Sequence, residues 1–158
     1  MSMSGKEILM KIAVYCGSAP GNDPAFADSA RELGRWIGTN GHTLIYGGGD
    51  SGIMGSVAEA AKNAGAAVIG VIPGDVPFIR ERPQPFVTEL ITADNMSARK
   101  KVMLDLADAF MALPGGIGTL DEITEVITLT RIGVFNKKSV MINTNGFYEP
   151  FRAMLESM

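Results

Sequence analysis

The 158-residue sequence predicts a doubly wound α/β fold, a mostly parallel sheet with helices on both faces. Three observations predict it. Short β-branched apolar runs recur along the chain, and segments of helical character lie between most of them. The runs are also apolar on consecutive positions, which suits strands covered on both faces, whereas a half-exposed strand would alternate.

Residues 1–9, MSMSGKEIL, precede a second plausible start at Met10 and are read as a flexible tail. Residues 11–15 (KIAVY) form the first strand. Asp23-Pro24 then places an N-cap acid before a proline at the first helical position, opening a helix over 24–39. Gly41 sits just past that helix, and Gly65 just past a second over 52–64. Strands follow at 43–46, 67–72, 86–91, 109–113 and 139–142. Asp94-Asn95 opens a helix over 95–107, and two more are expected over 119–132 and near 147–157. The segment 73–85, with its four prolines, is the one long irregular stretch, and loops of that length in compact domains tend to be functional or mobile. No repeat, low-complexity tract or linker interrupts the pattern, so residues 10–158 are read as a single domain.

Composition excludes several classes of function. The formal charge is −3, the isoelectric point is near 5.1, and no basic block exceeds Arg99-Lys100-Lys101, so a nucleic-acid partner is not expected. One cysteine rules out an internal disulfide. Neither a leader nor an unbroken apolar span of about 18 residues is present, which predicts a cytoplasmic protein without a membrane partner. With one histidine and one cysteine there is no zinc cluster. Cys16 ends the first strand while His42 begins the second, too far apart for a nucleophile and its base.

Ligands of open parallel sheets bind beyond the carboxyl ends of the strands, and the conspicuous sequences fall there. Strand one ends in Cys16-Gly-Ser18, strand two in Gly47-Gly-Gly-Asp-Ser-Gly52, and strand five in Pro114-Gly-Gly-Ile-Gly-Thr119. Two of these loops are glycine-rich and run straight into a helix, where free N–H groups and the helix dipole receive a phosphate. Gly47-x-Gly49-x-x-Gly52 matches the dinucleotide pattern, with Asp75 at about the distance of a ribose-binding acid. It follows the second strand, however, and no separate substrate domain accompanies it.

Pro114-Gly-Gly-Ile-Gly-Thr-Leu-Asp-Glu122, preceded by Met96-Ser-Ala-Arg99-Lys100 and Tyr46-Gly-Gly-Gly49, resembles the LOG family, the cytokinin riboside 5′-monophosphate phosphoribohydrolases, some once called lysine decarboxylases. The resemblance runs from Tyr15-Cys-Gly-Ser18 to Gly146-Phe-Tyr148. It implies a Rossmann-like homodimer that hydrolyses the N-glycosidic bond of an adenine-type nucleoside 5′-monophosphate, a cytokinin riboside 5′-monophosphate or AMP, to free base and ribose 5-phosphate. It implies no cofactor and no metal. It assigns catalysis to Arg99 and Glu122, and suggests Glu81 as an acid in the long loop. The sequence departs from the family pattern at Leu129-Thr-Arg-Ile-Gly133, where members often read WAQLG, and at Asp50, where a small residue is common. It also stops at Met158, short of the usual family length.

Cleaving a ribosyl C–N bond builds positive charge on the sugar and negative charge on the departing base, which a carboxylate and a nearby cation both favour. Glu122 and Arg99 are of the right types. Each also has a structural reading. Thr119-x-x-Glu122 is a capping box, and a lone helix arginine is usually a solvated charge. Gly115, Gly116, Gly118 and Thr119 are assigned to phosphate, against a simple tight turn. Gly47, Gly48 and Gly49 serve phosphate or close ligand approach, and Ser18 is a candidate hydrogen-bonding residue. Met96 is pocket wall or core. Lys100 and Glu125 are further substrate-binding candidates that read almost equally as solvated charges. The helix over 119–132 is apolar on more than one stripe, which predicts burial against a second copy. A pyridoxal-dependent decarboxylase is disfavoured, because no lysine is convincingly placed for a Schiff base. The alternative is a non-catalytic carrier of a phosphorylated ligand, like the molybdenum-cofactor carrier proteins.

Overall fold

The computed structural model describes residues 8–158. Most of the expected tail therefore lies outside the described residues; Ile8 and Leu9 are exposed and carry no regular structure. Six strands form one sheet: β1 (Lys11–Tyr15), β2 (Thr43–Tyr46), β3 (Val68–Pro73), β4 (Glu89–Ala93), β5 (Ala109–Ala112) and β6 (Lys138–Met141). Their order is β4-β3-β2-β1-β5-β6, and every pairing is parallel. The helices are α1 (Pro24–Thr39), α2 (Gly52–Asn63), α3 (Pro77–Arg80), α4 (Met96–Leu106), α5 (Ile117–Arg131) and α6 (Glu149–Glu156).

Alternate residues of the central strands feed two cores. Ile12, Val14, Leu44 and Tyr46 pack with Phe26, Leu33 and Ile37 of α1 and Ile53 and Val57 of α2. Ala13, Tyr15 and Ile45 point the other way, onto Met103 and Leu104 of α4 and Ile123 and Val126 of α5. Both faces are therefore dry, which is why the strands read as continuous apolar runs. Gly34 lets α1 and α2 touch: a Cβ there would stand 2.8 Å from that of Ala60. The caps fall where the sequence puts them. Asp23 accepts from the Ala25 N–H at 2.9 Å, and Gly41 and Gly65 take the left-handed conformation, φ +74° and +91°.

One strand is displaced from its expected place. The apolar residues 86–91 suggest a strand, yet β4 begins at Glu89. Thr88 fixes the start, its N–H donating to the Val68 carbonyl at 2.9 Å while its hydroxyl accepts from the Val68 N–H at 2.8 Å. Phe86 and Val87 are apolar because they pack beneath the loop onto the α1/α2 core, without ladder pairing. The proline-rich stretch before them contains α3, one short turn opened by Pro77.

The chain lays down β1 to β4 in one direction, then returns to the other side of β1 for β5 and β6. The strand order thus reverses between β1 and β5, the place where a crevice opens in such sheets.

Candidate active site

A cleft of about 480 Å³ opens at that point, at the carboxyl ends of β1, β2 and β5. Arg99 enters it from α4, a helix capped by Asn95, whose side chain accepts from the Ala98 N–H at 2.9 Å. Glu122 enters from α5. Arg99 Nη2 lies 3.6 Å from Glu122 Oε2, and the two side chains are 11% and 13% exposed. The distance is that of an ion pair, longer than a good hydrogen bond. Arg99 Nε is buried with no hydrogen-bond partner in the protein.

Burial raises the Glu122 carboxyl to about 7, with Arg99 opposing the rise and Asp121 and Glu125 adding to it. Glu122 thus titrates in the range where one carboxyl can both take and hold a proton near neutrality. Cys16 also lines the cleft, but burial pushes its thiol well above the ordinary value, which keeps it protonated and a poor nucleophile.

The capping-box expectation for Glu122 fails. Helix α5 starts at Ile117 with Gly116 as its N-cap, two residues earlier than Thr119, and no side chain caps it. Thr119 is therefore inside the first turn, and Glu122 is too far along to reach the N-cap N–H. The early start also leaves the amides of Ile117, Gly118 and Thr119 without a partner among the described hydrogen bonds, while Leu120 already donates to Gly116. Such an end has the donors and the dipole that suit an anion.

The two glycine-rich loops are not equivalent in this respect. At the start of α2, the Ile53 N–H donates to the Ala19 carbonyl at 3.4 Å and the Met54 N–H to Gly17 at 3.1 Å. The loop after β1 thus occupies the Ile53 and Met54 amides of α2, and of the two glycine-rich loops the one after β5 leaves three successive helix amides without a partner among the described hydrogen bonds. Gly115 makes that turn possible, since a Cβ there would stand 2.7 Å from the Cβ of Thr119 and 2.9 Å from the Gly17 nitrogen.

Of the residues singled out in the sequence, Ser18, Gly47, Gly48, Gly49 and Met96 line the cleft, together with Arg99, Gly116, Gly118, Thr119 and Glu122. Four others do not. Gly115 lies behind the turn, against a smaller hollow with Phe26 and Phe147. Glu81 is exposed and pairs with its neighbour Arg80 at 3.1 Å, because α3 turns it outward. Lys100 and Glu125 are spent on each other at 2.9 Å, and Lys100 also holds Asp121 at 3.1 Å. These pairs fasten α4 to α5, the two helices that carry Arg99 and Glu122.

Sequence reasoning did not single out Met54, Phe78, Arg82 or Gln84 as cleft residues. The last three belong to the proline-rich loop, whose length alone marked it as functional. Among the described residues, no group of three histidine, cysteine or acidic side chains could hold a metal, and no helix is long and apolar enough to cross a membrane.

A family model described as possible lysine decarboxylase matches residues 54–158. The cleft does not fit that description, since none of its lining residues is a lysine that could anchor an aldehyde cofactor. Among curated proteins, the chain is 44% identical over 92% of its length to a cytokinin riboside 5′-monophosphate phosphoribohydrolase of Oryza sativa subsp. japonica, spanning 60% of that protein. It is 40% identical over 92% of its length to a protein of the same name from Rhodococcoides fascians, spanning 73% of it. A third, from Arabidopsis thaliana, is 40% identical over 92% of this chain and is spanned to 68%. Solved structures share the fold. The molybdenum cofactor carrier protein of Chlamydomonas reinhardtii superimposes with a TM-score of 0.69 at 22% identity, over 94% of this chain and 99% of that one. The molybdenum cofactor binding protein of Rippkaea orientalis gives 0.65 at 20% identity, over 98% and 99%.

Proposed function

This chain belongs to the family of the cytokinin riboside 5′-monophosphate phosphoribohydrolases, and from that premise we propose that it hydrolyses the N-glycosidic bond of an adenine-type nucleoside 5′-monophosphate. Water adds to the anomeric carbon of the ribose, the C–N bond breaks, and the base leaves with the proton that water gives up. The products are ribose 5-phosphate and free base.

The observation that carries this reading is the Arg99–Glu122 pair, 3.6 Å apart beside the open start of α5. A 5′-phosphate accepts hydrogen bonds from the Ile117, Gly118 and Thr119 amides. Glu122, one turn beyond Thr119, then faces the ribose. Its carboxylate takes the proton of the attacking water or stabilises the cationic sugar, while Arg99 offsets the charge that develops on the departing base. A carrier would need to hold its ligand but would have no use for a buried acid poised near neutrality.

The reading extends to assembly and location. Ile132 and Val134, at the end of α5, are 66% and 62% exposed, and burying them against a second copy would form a homodimer. Cytoplasmic action suits a nucleotide substrate.

The test is incubation with AMP and with isopentenyladenosine 5′-monophosphate, following free base by chromatography, beside Glu122→Ala and Arg99→Ala. Release by the wild type that is lost in both variants is the expected result. Nucleotide binding without release would refute hydrolysis of these substrates and favour the carrier.

A further inference from the structure

The turn that opens α5 is held by few bonds. Ala112 ends β5, its carbonyl accepting from the Ile142 N–H at 2.8 Å, and Leu113 makes the last bond to β1, its N–H donating to the Tyr15 carbonyl at 2.9 Å. Pro114, Gly115 and Gly116 follow outside the sheet. Among the described hydrogen bonds, two tie this stretch to the rest of the chain before α5 begins. The Pro114 carbonyl accepts from the Gly17 N–H at 3.4 Å, a long bond, and the Leu113 carbonyl accepts from the Tyr148 hydroxyl at 2.6 Å, a short one. Packing alone does not fix the turn, because the hollow of about 260 Å³ lined by Gly115, Phe26 and Phe147 lies behind it and leaves the backbone room to retreat. A phosphate seat needs its donors held to within about 0.5 Å.

Tyr148 is itself firmly placed. Its ring is buried in the α4/α5 core, and its N–H donates to Asn143 Oδ1 at 2.8 Å. Its neighbours are fastened to α1: Phe147 meets Phe26 edge to face at 5.3 Å, Thr144 Oγ1 lies 2.7 Å from Ser29 Oγ, and the Asn145 amide donates to Asp23 Oδ2 at 2.8 Å. Burial pushes the phenol up to about 12, so it stays a donor at any working pH. Leu113 is buried too, and without the phenol its carbonyl would have no described donor.

We propose that Tyr148 is a positioning residue for the 5′-phosphate: by holding the Leu113 carbonyl from behind, it sets where the Ile117, Gly118 and Thr119 amides point. Tyr148 does not line the cleft, so it acts through the turn, on phosphate affinity and not on bond cleavage. This assignment rests on the hydrolase reading for the seat of the phosphate on α5.

Tyr148→Phe keeps the ring and removes the donor. The test reads the Kd of ribose 5-phosphate by titration calorimetry beside KM and kcat for AMP. Kd and KM should both rise by about 3–10-fold, the worth of one buried hydrogen bond, while kcat stays within about 2-fold of the wild type. A merely structural role would lower the folded fraction, and with it kcat, leaving Kd and KM unmoved; that pattern, or an unchanged Kd, would overturn the assignment. Asn143→Ala, which frees the Tyr148 backbone and leaves the phenol, should raise Kd in the same direction by less. It decides the matter if the phenylalanine variant does not fold, since an unchanged Kd would then overturn the assignment. Hydrogen exchange of the wild type separates this from the reading beneath it: ribose 5-phosphate should slow exchange at the Ile117, Gly118 and Thr119 amides. If it does not bind, or leaves them unprotected, the phosphate seat itself is wrong and the role of Tyr148 falls with it.

Discussion

Replacing Glu122 with glutamine should abolish catalysis and yet stabilise the fold, increasingly so as pH rises. The carboxyl is held at about 7 by burial, against 4.5 for an ordinary one. Between those values the folded chain keeps a proton that the unfolded chain has released. Stability is therefore full below pH 4.5 and declines until the folded group has also ionised, above 7. At ~1.4 kcal/mol for each tenfold, the ionised carboxylate costs the fold about 1 kcal/mol at pH 5 and about 3 kcal/mol at pH 8. Glutamine has the same shape and no such decline. It leaves Arg99 without a counter-charge, but arginine stays charged throughout, so that penalty is a constant offset. Urea unfolding of both proteins at pH 5 and pH 8 isolates the remainder. The glutamine variant should gain about 2–3 kcal/mol on the wild type between the two, or roughly 5–10 °C in Tm. A gap that stays constant, or that narrows toward pH 8, would mean that Arg99 keeps Glu122 ionised at ordinary pH and would refute the argument from burial.

Three further outcomes follow from the same geometry. If Glu122 works as the carboxylate, kcat/KM for AMP should rise with pH through about 7; Arg99→Met should lower the rate by about 10²–10³-fold and move that rise to higher pH, because Arg99 favours the ionised acid. A fall in activity across the same range would show that Glu122 acts while protonated. Gly115→Ala should destabilise the chain, since its Cβ would stand 2.7 Å from that of Thr119, whereas Gly118→Ala, with no atom within 4 Å, should fold normally and weaken AMP binding; chemical denaturation and calorimetry check each. The double change Ile132→Asp and Val134→Asp should halve the mass seen by light scattering, and an unchanged mass would remove that surface from the interface.

How much of this was legible in the sequence varies with the range of the forces involved. The sheet and its helices were legible because apolar periodicity, Asp23-Pro24 and glycines such as Gly41 act over a few residues. Arg99 and Glu122 stand out in motifs that resemble a family, but their 3.6 Å approach depends on α4 and α5 lying side by side. The β4 boundary was misread because Phe86 and Val87 are apolar for a packing reason that has no local signature. For Glu122 a cap competes with catalysis in the sequence because Thr-x-x-Glu is a valid cap pattern, and only the earlier start of α5 at Ile117 removes it. The pairing of Lys100 with Asp121 and Glu125 is equally tertiary, which is why those side chains looked available for substrate.

The carbonyls of Gly17 and Ala19, seated on the Met54 and Ile53 amides in the first turn of α2, give the cleft a direction. Of two loops that look alike on paper, one is a socket and the other is already plugged by the chain itself. On the proposed reading a mononucleotide should enter one way round, and a pyrophosphate that must bridge two helix ends should find a single receptor. The Gly47-x-Gly49-x-x-Gly52 sequence, which on its own suggests a dinucleotide site, is disarmed by two carbonyls far away in the sequence, and cutting that plug back should create a second seat for phosphate.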